Sequence, residues 1–207
     1  MRKINKQTPL ANFNGDNYNN DCTLWTCKRC DQITFHNKYK DIYEETRLQI
    51  LTDEQNQLCG YTEIYINELE ECHIDHYKKR EFFSELTFDW DNLIVATKDD
   101  DFGANFKDNK YNSNGIQKSE YTDIYNPVID DIPFEYDEFG AIIEEEGKIK
   151  KTIEVFNLNC ESLKQRRKNI IITIQSLKKD GDEIDEIKSS LDDAGFLSVI
   201  EQELELI

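Results

Sequence analysis

The sequence predicts an α+β protein in which a small strand–loop–strand–helix segment lies between an N-terminal helical region and a C-terminal helical tail. Three observations carry that expectation. Residues 41–58 set apolar side chains at Ile42, Tyr43, Leu48, Ile50, Leu51 and Leu58 on helical spacing. Residues 59–97 hold two stretches that favour strands, one around Tyr61, Ile64, Tyr65 and Ile66 and one at Leu93-Ile94-Val95-Ala96. From Ile153 onward apolar positions again recur on helical spacing.

Taken in order, residues 12–20 are rich in Asn, Gly and Asp and read as a loop, and 23–35 are mixed. The helix over 41–58 leads into a strand-like stretch from Cys59 to His76. Residues 78–92 are polar but carry Phe82, Phe83, Phe88 and Trp90, which suggests an ordered loop. Leu93 to Ala96 is a short buried strand, Lys98 to Asp101 a charged turn, and Gly103 to Tyr111 a short helix. Residues 112–150 read as loops punctuated by Pro127, Pro133, Gly140 and Gly147, with Glu144-Glu145-Glu146 a solvated run. A helix is predicted from Ile153 to Lys178, broken at Asp180-Gly181-Asp182, with shorter helices over 184–191 and 196–206. The organisation is therefore 1–58 helical, 59–111 core, and 112–207 loops and helices that form one compact domain with the core.

At 207 residues the chain is long enough for one large domain with a real core. Its 38% hydrophobic and 33% charged content fits a globular protein without a membrane span. No apolar stretch follows Met1-Arg2-Lys3-Ile4-Asn5-Lys6, so a secretory signal is absent and a cytoplasmic location is expected. Cys22, Cys27, Cys30, Cys59, Cys72 and Cys160 are then expected to be reduced thiols. The net charge of -18, from 43 acidic and 25 basic residues, opposes unaided nucleic-acid binding. A role on nucleic acid therefore requires a basic partner.

The chemistry-bearing residues lie in three segments, Cys72 to Arg80, Phe88 to Leu93, and Phe102 to Asp108. Phosphodiester hydrolysis needs a base near the phosphorus and a cation to neutralise the leaving oxygen. Asp75 is a hard oxygen ligand suited to a divalent ion, and the adjacent His76 is a candidate base. Side chains of neighbouring strand residues point to opposite faces, but at a strand end both can reach one site. Asn92 can fix the loop that orients the histidine, Asn105 offers a second oxygen ligand, and Lys107 can pair with a phosphate. Lys78-Lys79-Arg80 is a local basic patch, with Lys78 a further phosphate contact. Each has an ordinary alternative: a surface pair, a turn residue, a helix cap, solvated lysines. The order and spacing of the set carry the functional reading. His73 reads better as a strand residue with a structural hydrogen bond.

Together with Asp89-Trp90-Asp91-Asn92-Leu93, this set resembles the HNH nuclease superfamily and, more closely, the Septu-type HNH endonucleases (PtuB) of anti-phage systems and retrons. The likeness extends to Met1-Arg2-Lys3-Ile4, Leu51 to Tyr61, Asp75-His76-Tyr77-Lys78, Tyr125-Asn126-Pro127, Phe134-Glu135-Tyr136 with Gly140, and Phe156 to Asn159 with Leu163 and Arg166-Arg167. It implies a ββα-metal unit with His76 as general base, Asp75 as metal ligand and Asn92 as brace. Asn105 would be the second metal ligand, with Asp108 or Asn109 as alternatives for that position. It implies one divalent ion, Mg²⁺ or Mn²⁺ first, with Ni²⁺ also suited to such ligands. A partner ATPase of the ABC/SMC-like kind (PtuA) is implied too, and in retrons a reverse transcriptase with its RNA–DNA product. DNA is the preferred substrate over RNA.

Two departures matter. The paired zinc knuckles of many HNH proteins are missing: Thr62 follows Cys59 at the knuckle spacing and 96–102 contains no cysteine, so structural zinc is not expected there. Lys79 stands where the family often has proline. Cys22, Cys27, Cys30 and His36 could supply zinc ligands, though only one Cys-x-x-Cys is present and free thiols are the simpler reading. Three functions are thus weighed: an active nuclease, a binding subunit with a degenerate HNH site, and a small zinc adaptor. Lys164, Arg166, Arg167 and Lys168, with the terminal helices, are candidates for docking a partner.

Overall fold

A computed structural model of the chain describes residues 1–11, 13, 42–143 and 146–205. At its centre is a two-stranded antiparallel sheet, β1 (Cys72–His76) and β2 (Leu93–Thr97). The register pairs Cys72 with Thr97, Asp75 with Ile94 and His76 with Leu93. The Leu93–Ala96 run is buried throughout. That is what a strand covered on both faces requires, and it explains the absence of alternation there.

Helix α1 spans 42–49 and widens into a π-type turn, Ile50–Glu54. Its spacing predicts a run to Leu58, but Asn56 and Gln57 take positive φ, at 50° and 63°. Gln55 has another use: its amide donates to Val95 O at 2.8 Å and accepts from Val95 N at 2.9 Å. A side chain thus takes the place of a third strand on the outer edge of β2, and the Gly60 N–H also bonds Val95 O. A Cβ on Gly60 would collide with the Ile94 side chain, so only glycine brings the backbone this close. With that edge occupied, Tyr61 to Ile66 form turns and one bridge, Leu58 to Tyr65, instead of the predicted strand.

Helix α2 begins at Gly103–Asn105 and continues as a widened turn, Phe106–Lys110. The tail contains α3 (Lys148–Phe156), α4 (Glu161–Asp180), α5 (Ile184–Ser190) and α6 (Leu197–Glu203). The single helix predicted from Ile153 is two. Asn157 adopts a left-handed conformation and its amide donates to Asp101 O at 2.7 Å, which turns the chain between α3 and α4. The break at Gly181 falls where the sequence predicts it. Within the basic cluster of α4, Arg167 is buried and donates to Gly140 O and Leu158 O. That residue is structural and is withdrawn from any docking role; Lys164, Arg166 and Lys168 stay outside the core.

Mixed helix and strand make the protein α+β. No described helix is long and apolar enough to cross a membrane. Cys59, Cys72 and Cys160 are free thiols. Cys22, Cys27, Cys30 and His36, with Glu144 and Glu145, lie outside the described residues.

Glu63 ties the chain start to the tail. Its buried carboxylate accepts from the Met1 ammonium at 2.8 Å and from Ser198 N and Oγ, at the start of α6, at 2.9 and 2.7 Å. Burial alone would raise this carboxyl. The Met1 ammonium and the Ser198 donors outweigh it and hold the group below its ordinary 4.5. A depressed carboxyl contributes stability above its unfolded value and loses it as the pH falls through the folded one. Glu63→Gln should therefore cost roughly 3 kcal/mol at pH 7, the scale for breaking a buried pair. Urea unfolding measured from pH 7 to pH 3 should show the gap to wild type closing below about pH 4.5.

Candidate active site at the end of the first strand

Asp75 and His76 are the last two residues of β1, and both are buried, at 6% and 8% exposure. Strand alternation sends them to opposite faces. Asp75 turns toward Tyr61 and α2. The Tyr61 hydroxyl donates to its Oδ2 at 2.6 Å, and Lys107 Nζ stands 3.4 Å from the same oxygen. The His76 ring turns toward the 78–92 loop, where Nε2 lies 2.8 Å from the carbonyl of Thr87. A carbonyl only accepts, so Nε2 carries the hydrogen and the neutral ring keeps its lone pair on Nδ1. Burial and then the nearby Arg80 charge push His76 down to about 4, against the Thr87 carbonyl and Asp75, which favour the protonated ring. His76 is therefore neutral at physiological pH.

Asn92 closes the loop on itself. Its Oδ1 accepts from Lys78 N at 2.8 Å, and its Nδ2 donates to Lys78 O and Leu86 O, both at 3.1 Å. Its own carbonyl accepts from Tyr77 N. One side chain thus joins both ends of the loop whose Thr87 carbonyl touches His76.

Lys107 differs most from the sequence expectation. A solvated lysine or a phosphate contact is predicted, and the structure buries it completely. Its ammonium lies 2.6 Å from Asp108 Oδ1 and 3.4 Å from Asp75 Oδ2, and 3.4 and 3.3 Å from the carbonyls of His76 and Tyr77. Burial disfavours its charge, but the two carboxylates more than compensate, and the group is held protonated. Burial and the proximity of Asp75 push Asp108 up to about 6, against the pull of Lys107 and Lys79.

Asn105 is not brought to this cluster. It is half-exposed and its amide donates to Asp100 Oδ1 at 3.0 Å. Asp108, next along α2, is the residue that meets Asp75 through Lys107, while Asn109 is exposed. Lys78 sets its ammonium 5.3 Å from the Phe83 ring centre, and Lys118 approaches the same ring at 4.9 Å. Lys79 Nζ reaches Asp108 O at 2.5 Å, and a Cβ on Gly115, at φ +76°, would collide with that same carbonyl. The Tyr61 hydroxyl and the Thr87 carbonyl have no local sequence signal, because each acts from a remote or backbone position. Arg80 belongs to the basic patch that the sequence offers as a phosphate clamp, and its charge faces Asp75 and Asp108.

Among the described residues no group of three His, Cys, Asp or Glu is placed to hold a metal. The arrangement instead offers two carboxylates converging on one cation position on one face of the strand end, a neutral imidazole on the other face, and a rim of Lys79 and Arg80. No protein-family model matches the chain, and no curated protein matches it.

Removing the Asn92 amide takes the partner from Lys78 N–H and Lys78 O, while Leu86 O keeps its bond from Asp89 N. Asn92→Ala should cost roughly 2–3 kcal/mol, the scale for buried polar groups left unsatisfied. Hydrogen exchange should show the Lys78 amide losing its protection.

Proposed function

We propose that the chain is a metal-dependent endonuclease subunit that hydrolyses phosphodiester bonds, with His76 as its general base. The observation that carries this is the buried, neutral imidazole at the strand end, held with Nε2 2.8 Å from the Thr87 carbonyl. A base needs that protonation state and a fixed ring; burial gives the first, and the loop that Asn92 locks gives the second. The run of strand, locked loop, strand and helix, with Asp75-His76 at the first strand end, supports the likeness to HNH nucleases drawn from the sequence.

The donor set fits a hard divalent ion of the kind that takes one or two carboxylates and keeps its waters. Asp75 and Asp108 would hold it, since both already face one cation at Lys107 Nζ. When bound, such an ion supplies neutralisation of charge on the leaving oxygen. His76 takes the proton from the attacking water, Asn92 keeps the ring and loop in place, and Tyr61 orients Asp75 by its short hydrogen bond. Arg80 and Lys79, at the rim, draw the phosphate toward the strand end. Asn105, assigned as a metal ligand from the sequence, would have to leave Asp100 to take that part.

DNA is the preferred substrate, with RNA second. A chain of net charge -18 grips neither well by itself, so a basic partner is part of the proposal, an ABC/SMC-like ATPase of the Septu kind. Lys164, Arg166 and Lys168 on α4 are the residues of the basic cluster left to meet it. A second reading, a binding subunit whose site is silent, is favoured by one observation: an ammonium already stands between the carboxylates.

Plasmid DNA and total RNA should be incubated with the chain and Mg²⁺ or Mn²⁺, alone and with a Septu-type ATPase. Cleavage should fall about 10²–10⁴-fold in His76→Ala, the usual contribution of a positioned base. Equal cleavage by wild type and variant would reject the nuclease and favour the silent subunit.

A further inference from the structure

We propose that Lys107 is the resident cation of this site and that a divalent ion binds there by displacing its ammonium, so that Lys107 sets the metal affinity. The choice of a divalent ion rests on the nuclease reading; the occupancy by Lys107 does not. Four oxygens surround Nζ: Asp75 Oδ2, Asp108 Oδ1 and the carbonyls of His76 and Tyr77, at 2.6 to 3.4 Å. An ammonium has three hydrogens, one fewer than the oxygens around it. The shell is all oxygen, comes from the strand end and from α2, and encloses a charge with no solvent exposure. An oxygen-only shell with two carboxylates suits a small hard cation better than a nitrogen that can satisfy only part of it.

Charge points the same way. At the cation position itself Asp75 and Asp108 bring two negative charges against the one on Lys107, with Lys79 Nζ 4.0 Å from Asp108 Oδ1 and the Arg80 charge facing both carboxylates from the edge. A divalent ion in place of the ammonium neutralises both carboxylates. The released lysine then leaves a buried position carrying its charge, and a phosphate beside the ion is a partner for it. This is how one residue that is fully buried in the free chain also meets the substrate assigned to it from the sequence. The competitor is tethered, so it cannot be diluted away. If the lysine-out state is populated at a tenth or less, the apparent affinity for metal is weakened roughly tenfold or more.

Mn²⁺ binding to the full chain should be followed by the electron paramagnetic resonance of the free ion, with no cleavage measured. Lys107→Gln should bind Mn²⁺ at least tenfold more tightly than wild type, and Asp75→Asn in that background should abolish the gain. Unchanged or weaker binding by a folded Lys107→Gln would overturn the proposal. Because that substitution strips two buried carboxylates of their counter-ion and could prevent folding, wild type supplies a second measurement. Lysine acetylation read by mass spectrometry should find Lys107 protected without Mn²⁺ and modified once Mn²⁺ is bound. Protection that persists with Mn²⁺ bound, or an absence of Mn²⁺ binding in every variant, would overturn it. A chain that exchanges Lys107 for Mn²⁺ yet cuts nothing loses the nuclease reading alone. One that cuts while Lys107 stays protected loses this inference alone.

Discussion

A buried ammonium cannot stand alone, and the demand of Lys107 for negative charge organises the centre of this protein. Burial without compensation would strip the proton from the lysine. Two carboxylates from different elements prevent that, Asp75 from the end of β1 and Asp108 from α2. The cluster therefore fixes where the helix lies against the hairpin. It also fixes the backbone around it, because the same ammonium approaches the carbonyls of His76 and Tyr77 where the chain leaves the strand. The contact is made across 31 residues of sequence, and it joins the hairpin to the helix that follows it.

Asn92 does complementary work with neutral groups. The 78–92 loop has no ladder to satisfy its backbone, and one amide serves both of its ends. The loop in turn presents the Thr87 carbonyl to His76, so the orientation and tautomer of the imidazole depend on Asn92 through the loop. Two polar residues thus hold the two halves of the site: a charged one under Asp75 and a neutral one behind His76. The pronounced acidity of the chain as a whole does not extend to this corner, where Lys79 and Arg80 line the rim.

Local signals in the sequence read well where local physics decides. β2 was legible from an unbroken apolar run, the end of α4 from Asp180-Gly181-Asp182, and the loop over 78–92 from its polar residues with aromatic anchors. Asn92 before a buried strand reads by itself as a turn residue, and only its place in the wider pattern marked it as a residue that could fix the loop. Long-range competition hid the rest. Tyr61 to Ile66 favour a strand by composition, but the Gln55 side chain occupies the edge they would need. The apolar spacing of the tail runs through Asn157 without a mark, since an asparagine that turns left-handed looks like any helical asparagine until Asp101 is seen beside it. Lys107 looked solvated because a lysine carries no sign of burial, and its carboxylate partners sit one residue and 32 residues away. Asn105 and Asp108 are three positions apart on α2, and only their partners tell them apart.

The phenol of Tyr61 belongs to two neighbourhoods at once. Its hydroxyl holds Asp75, and its ring lies stacked on Phe156 of α3 with centroids 4.6 Å apart. The carboxylate is therefore propped from beneath by an element that begins more than seventy residues later in the chain. The hairpin and its helix are not a detachable unit in this protein, because a fragment ending before α3 would keep the Asp-His pair and lose the floor on which the aspartate rests.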